Sequence, residues 1–179
     1  VVADASAARA GTNRTLNYNL FVHRSPVDDP AKTAAAKAVL KPWYDMFGLG
    51  EPAEPRETHR TFDQAMCDVL LDQRPNVVSF HFGLPNAKLA QQIKDKECKI
   101  LTSATSAAEA VWLEQNGADA IISQGYEAGG QNGCFLPRNG ADLAGTMALV
   151  PRIVDAVNVP VIAAGGIADG RGIAAALML

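Results

Sequence analysis

The chain has 179 residues, 48% hydrophobic and 20% charged, which suits one domain with a sizeable core, is short for two, and excludes a disordered chain. Sixteen Lys and Arg against nineteen Asp and Glu give a net charge of −3; no basic stripe offers a nucleic-acid footprint, and no apolar run nears the roughly 20 residues that cross a bilayer. Three scattered cysteines, Cys67, Cys98 and Cys134, with no CxxC pair, argue against a disulfide framework or a zinc site and make a reducing, cytoplasmic compartment the expectation.

The sequence opens on Val1 without a signal-peptide layout. Residues 2–10 read as an Ala-rich helix, and Leu16 to Val22 as an alternating strand. A helical stretch from Pro30 to Phe47 is followed by a Pro-rich loop, 48–57. Thr61-Phe62-Asp63-Gln64 has the T-x-x-Q spacing of a capping box, opening a helix whose Phe62, Met66, Val69 and Leu70 form one apolar stripe. From there the pattern alternates. Strands at 77–82, 99–103, 119–125 and 159–164 are separated by helices at 86–96, after the Ser106-x-x-Glu109 capping box, and at 142–157. A final helix begins near Asp169 and runs to Leu179 without a capping signal, which fits a piece of a longer chain.

Short strands rich in Val and Ile, with room for a helix in every crossover, predict an α/β fold with a parallel sheet covered on both faces, one domain over 1–179. Five strands are fewer than the eight of a closed (β/α)8 barrel. Composition leaves open a doubly wound sheet or a barrel segment.

Ligands of parallel α/β folds gather at the carboxyl ends of the strands. The unusual residues cluster there: Asn19, His81, Ser103, the stretch Gln124-Gly125-Tyr126-Glu127-Ala128-Gly129-Gly130, and Gly165-Gly166. Gln124 offers a donor and an acceptor to the edge of a heteroaromatic ring. Glu127 reads either as part of that polar site or as a helix-capping carboxylate. Gly165-Gly166 reads either as a phosphate-binding turn leading into a helix N-terminus or as a tight turn using glycine for geometry alone. His81 is either catalytic or a hydrogen-bonded core residue. Tyr18, Phe80, Phe82 and Tyr126 are aromatic candidates for a ring pocket or for the core.

Four segments in order carry a family resemblance: Asn17 to Phe21, Val78 to Pro85, Gly117 to Gly130, and Pro160 to Arg171. Together they resemble the nitronate monooxygenases, formerly 2-nitropropane dioxygenases. The resemblance implies an incomplete (β/α)8 TIM barrel, the five strands being the third to seventh of eight. It implies FMN as cofactor, with a small-molecule alkyl nitronate of the propionate 3-nitronate class and O2 as reactants, and leaves homo-oligomerisation open. By position Asn19, Gln124, Gly129 and Gly130 are expected at the flavin, Ser103 beside it, and Gly165 and Gly166 at its phosphate. His81 and Gln131 are the candidates for catalysis. At Gln131 the family normally has histidine; an amide cannot accept a proton near neutral pH, which would hurt oxidation of neutral nitroalkanes more than that of nitronates, already anionic. Alternatives are an FMN-dependent NAD(P)H reductase of quinones or enoyl thioesters, and a truncated, inactive paralogue.

Overall fold

A computed structural model describes residues 2–25, 27–54, 60–137 and 143–179. Residues 55–57 of the expected loop 48–57, residues 138–140 of a glycine-rich loop expected from about Tyr126 to Gly140, and the first residue of the expected helix 142–157 lie outside the described residues. The chain divides into two compact units, residues 1–23 with 61–179, and residues 24–60.

The larger unit contains α1 (Val2–Gly11), β1 (Asn17–Phe21), α3 (Gln64–Asp72), β2 (Val77–His81), α4 (Ala87–Lys94), β3 (Lys99–Ala104), α5 (Ala107–Gln115), β4 (Ala120–Gln124), α6 (Thr146–Val154), β5 (Val161–Ala164) and α7 (Gly170–Leu177). The smaller contains α2 (Pro30–Met46). Asp29 caps α2 by accepting from Lys32 N at 3.1 Å, with Pro30 opening the first turn. Lys41 pairs with Asp45 one turn on. None of the residues of α2 is buried.

All strand pairings are parallel, and the strands lie side by side in chain order, β1-β2-β3-β4-β5. That order settles what composition left open. A doubly wound sheet reverses direction at a switch point, whereas a barrel adds each new strand on the same side of the last. The fold is α/β, five of the eight strands of a barrel.

Side chains alternate along each strand, so its two faces have different fates. Val78, Phe80 and Ile100 join Leu70, Ile93 and Phe62 in one apolar cluster, where the Phe62 and Phe80 rings meet edge-on at 5.1 Å. Ala104 and Ile121 join Leu113, Leu149 and Ile153 in a second. The intervening residues form a polar row: Asn17 donates to Ser79 Oγ at 2.8 Å, and Ser79 donates to Asn19 Oδ1 at 2.9 Å. The expectation of two apolar, helix-covered faces therefore holds for one face only. Short Val- and Ile-rich strands hid the polar half of the alternation.

Four local expectations need correction. The cap of α3 is Asp63, which accepts from Met66 N at 2.8 Å. Thr61 donates instead to the His23 carbonyl at 2.7 Å, and the buried stripe of α3 is Cys67 and Leu70 while Val69 is exposed. α6 begins only at Thr146. β2 ends at His81, because Phe82 has a φ of +72° and Gly83 one of +106°, which turns the chain out of the sheet. Among the described residues no helix is long and apolar enough to cross a membrane.

Candidate active site

The carboxyl ends of β1 to β5 border a cavity of about 340 Å³, small but within the range of ligand pockets, about 300–1,000 Å³. Asn19, His81, Ser103, Gln124, Gly129 and Gly165 all line it, together with Phe80, Ile122, Ala128 and Ala164. Six residues nominated from sequence thus meet at one place. Gly130, Gly166 and Gln131 do not line the cavity; each is exposed.

Hydrogen bonds order this wall. Ser103 Oγ lies 2.6 Å from His81 Nδ1, and the Gln131 carbonyl lies 2.8 Å from His81 Nε2. A carbonyl only accepts, so Nε2 carries a proton, and in the Nε2–H tautomer Nδ1 accepts from Ser103. The Gln131 carbonyl also accepts from Gln124 Nε2 at 2.9 Å, while Gln124 Oε1 accepts from Gly133 N at 2.7 Å. The amide keeps one N–H and one lone pair for a ligand. His81 is therefore a hydrogen-bonded residue with both ring nitrogens engaged. Position 131 enters the site through its backbone carbonyl, which any residue type supplies.

The glycines separate by cause. A Cβ on Gly129 would meet nothing within 4 Å, so its backbone leaves room on the cavity wall. At Gly165, with φ +124°, a Cβ would come within 2.7 Å of Thr146 Oγ1 and 2.8 Å of Ala128 N. Gly165 is thus required by backbone conformation and close packing, ligand or none.

Glu127 accepts from Thr146 N at 2.8 Å and Thr146 Oγ1 at 3.0 Å. It caps α6, whose own N-cap residue, Gly145, has no side chain to do so. Hydrogen bonds from its own and Thr146's backbone N–H, and from the Thr146 hydroxyl, hold its carboxyl below the usual glutamate value. The capping reading of Glu127 is the one the structure bears out. Of the aromatic candidates only Phe80 lines the cavity; Tyr18 packs against the core and Tyr126 is exposed. Phe82, swung outward by its positive φ, lies against His81 at 4.4 Å between centroids and against Phe21 at 5.9 Å.

Sequence reasoning missed one buried charge. Ser106 caps α5 by accepting from Glu109 N at 3.2 Å, as its motif implies, but the fully buried Glu109 side chain does more than complete the motif. It accepts from Thr105 N at 2.7 Å, Thr105 Oγ1 at 2.5 Å, Phe135 N at 2.9 Å and Leu136 N at 3.1 Å. Burial pushes its carboxyl up, and these four donors outweigh burial and bring it below the ordinary value. A buried residue in an S-x-x-E box was a signal available in the sequence; its loop partners, twenty-six and twenty-seven positions away, were not.

The sequence matches the family described as nitronate monooxygenase over residues 1–179. Among curated relatives, the nitronate monooxygenase of Paraburkholderia phytofirmans is 43% identical over 96% of this chain and 47% of its own length. That of Pseudomonas aeruginosa is 42% identical over 96% of this chain and 49% of its own. Among solved structures, a nitroalkane oxidase from Streptomyces ansochromogenes superposes with a TM-score of 0.83 at 31% identity, covering 99% of this chain and 50% of that one. The chain spans about half the length of these relatives. A family match from the first residue to the last, over a sheet whose strand tips converge on one cavity, places the chain in the nitronate monooxygenase family.

Proposed function

We propose that this chain contributes the flavin site of a cytoplasmic, FMN-dependent nitronate monooxygenase that oxidises alkyl nitronates of the propionate 3-nitronate class with O2. The observation that carries the reading is the convergence of Asn19, His81, Ser103, Gln124, Gly129 and Gly165 on one cavity at the strand carboxyl ends. We take residues 1–179 as one partial barrel domain.

The residues present fit a flavin. Gly129 leaves open space where a side chain would stand, so bare backbone can lie against a flat ring. The unused N–H and lone pair of Gln124 match the alternating donors and acceptors of a flavin edge. The Asn19 oxygen is taken by Ser79, which leaves its amide N–H groups to donate. Gly166, exposed and with φ +67°, stands with Gly165 at the turn before α7, where backbone N–H groups suit a phosphate. Bound FMN would supply the redox chemistry, with the protein providing orientation and electrostatics. His81 would present its Nε2–H edge to Gln131 and keep Ser103 fixed. Neither the engaged imidazole nor the Gln131 amide is a ready proton acceptor, which favours a substrate that arrives already as an anion.

The test is to titrate the purified chain with FMN, following flavin fluorescence and visible absorbance, then to add propionate 3-nitronate without oxygen. Saturable binding, and bleaching by the nitronate but not by the neutral nitroalkane, is the expected outcome. A chain that is colourless and takes up no FMN overturns the reading. Bleaching by NADH and not by nitronate overturns it in favour of the reductase.

A further inference from the structure

Glu109 lies outside the cavity, yet every bond it makes leads back to it. Four donors converge on its two oxygens, two from Thr105 at the end of β3 and two from the backbone of Phe135 and Leu136. Two carboxylate oxygens offer about four lone pairs, so the shell is filled. No neutral residue of that size serves here, because a glutamine would turn N–H groups toward other donors. The carboxylate therefore ties the strand end beside Ser103 to residues 135–136. Those residues are two to three positions beyond Gly133, whose N–H binds Gln124, and four to five beyond Gln131, whose carbonyl binds Gln124 and His81. The tether is short, since a residue spans at most about 3.6 Å of chain. The Phe135 ring is held as well, 5.3 Å from Trp112 between centroids, and 3.4 Å from where a Gly83 Cβ would stand.

We propose that Glu109 is a positioning residue for the candidate active site: by clamping Thr105 to the Phe135–Leu136 backbone it fixes the Gln131 carbonyl and the Gly133 N–H, and through them the Nε2–H tautomer of His81 and the orientation of the Gln124 amide. Its relevance to catalysis rests on the flavin-site reading above; its structural content does not. A buried carboxylate acting only as a helix cap would stabilise α5 and leave His81 indifferent to it.

The experiment is nitrogen NMR of the imidazole rings and side-chain amides in the full chain, without flavin. Wild type should show His81 as a single Nε2–H tautomer and a well-dispersed Gln124 amide. In Glu109→Gln, the two ring-nitrogen signals of His81 should move toward each other as the tautomers mix, and the Gln124 amide should shift toward the free-amide position. The backbone signals of β2 and β4 should stay in place. A variant that keeps the His81 tautomer and the Gln124 signals while the Phe135 and Leu136 amides move overturns the proposal.

Native-state hydrogen exchange on the wild type gives a second measurement, independent of whether the variant folds. The Gly133, Phe135 and Leu136 amides should open together, with protection within about threefold of one another. Gly133 exchanging freely while Phe135 and Leu136 stay protected overturns the proposal too. Titrating FMN separately keeps the two readings apart: a wild type that refuses FMN but passes both tests defeats the flavin site and leaves the clamp standing.

Discussion

Gly133 is where the loop touches both His81 and Gln124, and adding one methyl there measures how rigid that wall is. A Cβ at Gly133 would lie 2.7 Å from His81 Cε1, 3.0 Å from His81 Nδ1 and 3.1 Å from Gln124 Oε1. Ordinary contact begins near 3.4 Å, so the imidazole must retreat by about 0.7 Å or the loop must lift. Neither retreat is free: the ring is held at 2.6 Å by Ser103 and at 2.8 Å by the Gln131 carbonyl, and the loop by the 2.7 Å bond from Gly133 N. Overpacking a close-fitted site costs about 1–3 kcal/mol, and a hydrogen bond given up about 0.5–1.5 kcal/mol more. Gly133→Ala is therefore expected to destabilise by about 2–4 kcal/mol, a fall in Tm of roughly 4–16 °C for a domain of this size. Gly129→Ala is the control, because its Cβ meets nothing within 4 Å and should stay within about 0.5 kcal/mol of wild type. Urea unfolding at unchanged m-value gives both numbers. If the two variants unfold at the same midpoint, the wall is soft and the argument for a fixed His81 fails with it.

Two further outcomes test the interior. Ser123 Oγ is buried with no hydrogen-bond partner among the described residues, so Ser123→Ala should raise stability by about 1 kcal/mol, read as a higher urea midpoint; a loss of that size would mean the hydroxyl is bonded after all. For Glu109 the sign follows from its lowered carboxyl: its contribution is fully present above the ordinary value of 4.5 and is lost as pH falls through the lower folded value. The stability gap between wild type and Glu109→Gln should accordingly shrink as pH falls below the ordinary value of 4.5, measured as urea midpoints at descending pH, and a gap that stays constant would rule the carboxylate out as the cause.

The strands were readable because β1 alternates and the other four contain short apolar runs with helix-sized gaps between them, and their boundaries fell within one or two residues of the observed ones. Where the runs were mixed the reading slipped. Phe82 looked like one more strand residue, but its left-handed φ is imposed by the turn it makes with Gly83, which no periodicity reports. Asp63 rather than Thr61 caps α3, because Thr61 is drawn off by the His23 carbonyl thirty-eight residues away. The same limit governs the site. Asn19, His81, Ser103, Gln124 and the glycines stood out as polar or bare residues at strand ends, a local property. Glu109 did not, because its partners in the 135–136 backbone come to it only through the tertiary fold. The glycine pair was readable as a phosphate turn or as a tight turn; at Gly165 the closeness of Thr146 and Ala128 demands glycine whether or not a phosphate binds.

Position 131 shapes the candidate site through its backbone and not through its side chain. Its side chain is exposed, and its structural work is done by a carbonyl that receives two hydrogen bonds, from His81 and from Gln124. A carbonyl is common to every residue, so glutamine here in place of the histidine implied by the family resemblance leaves those two bonds available. What changes is the one property the backbone cannot supply, a side chain able to take a proton near neutral pH. The two bonds in the cavity wall do not depend on the exchange, and under the proposed function its effect would fall on substrates that must lose a proton before giving up electrons. A nitronate has already lost it. On the proposed reading the two demands are separate: the backbone carbonyl at 131 holds His81 and Gln124 whichever residue stands there, and only the side chain would bear on a substrate that must first lose a proton.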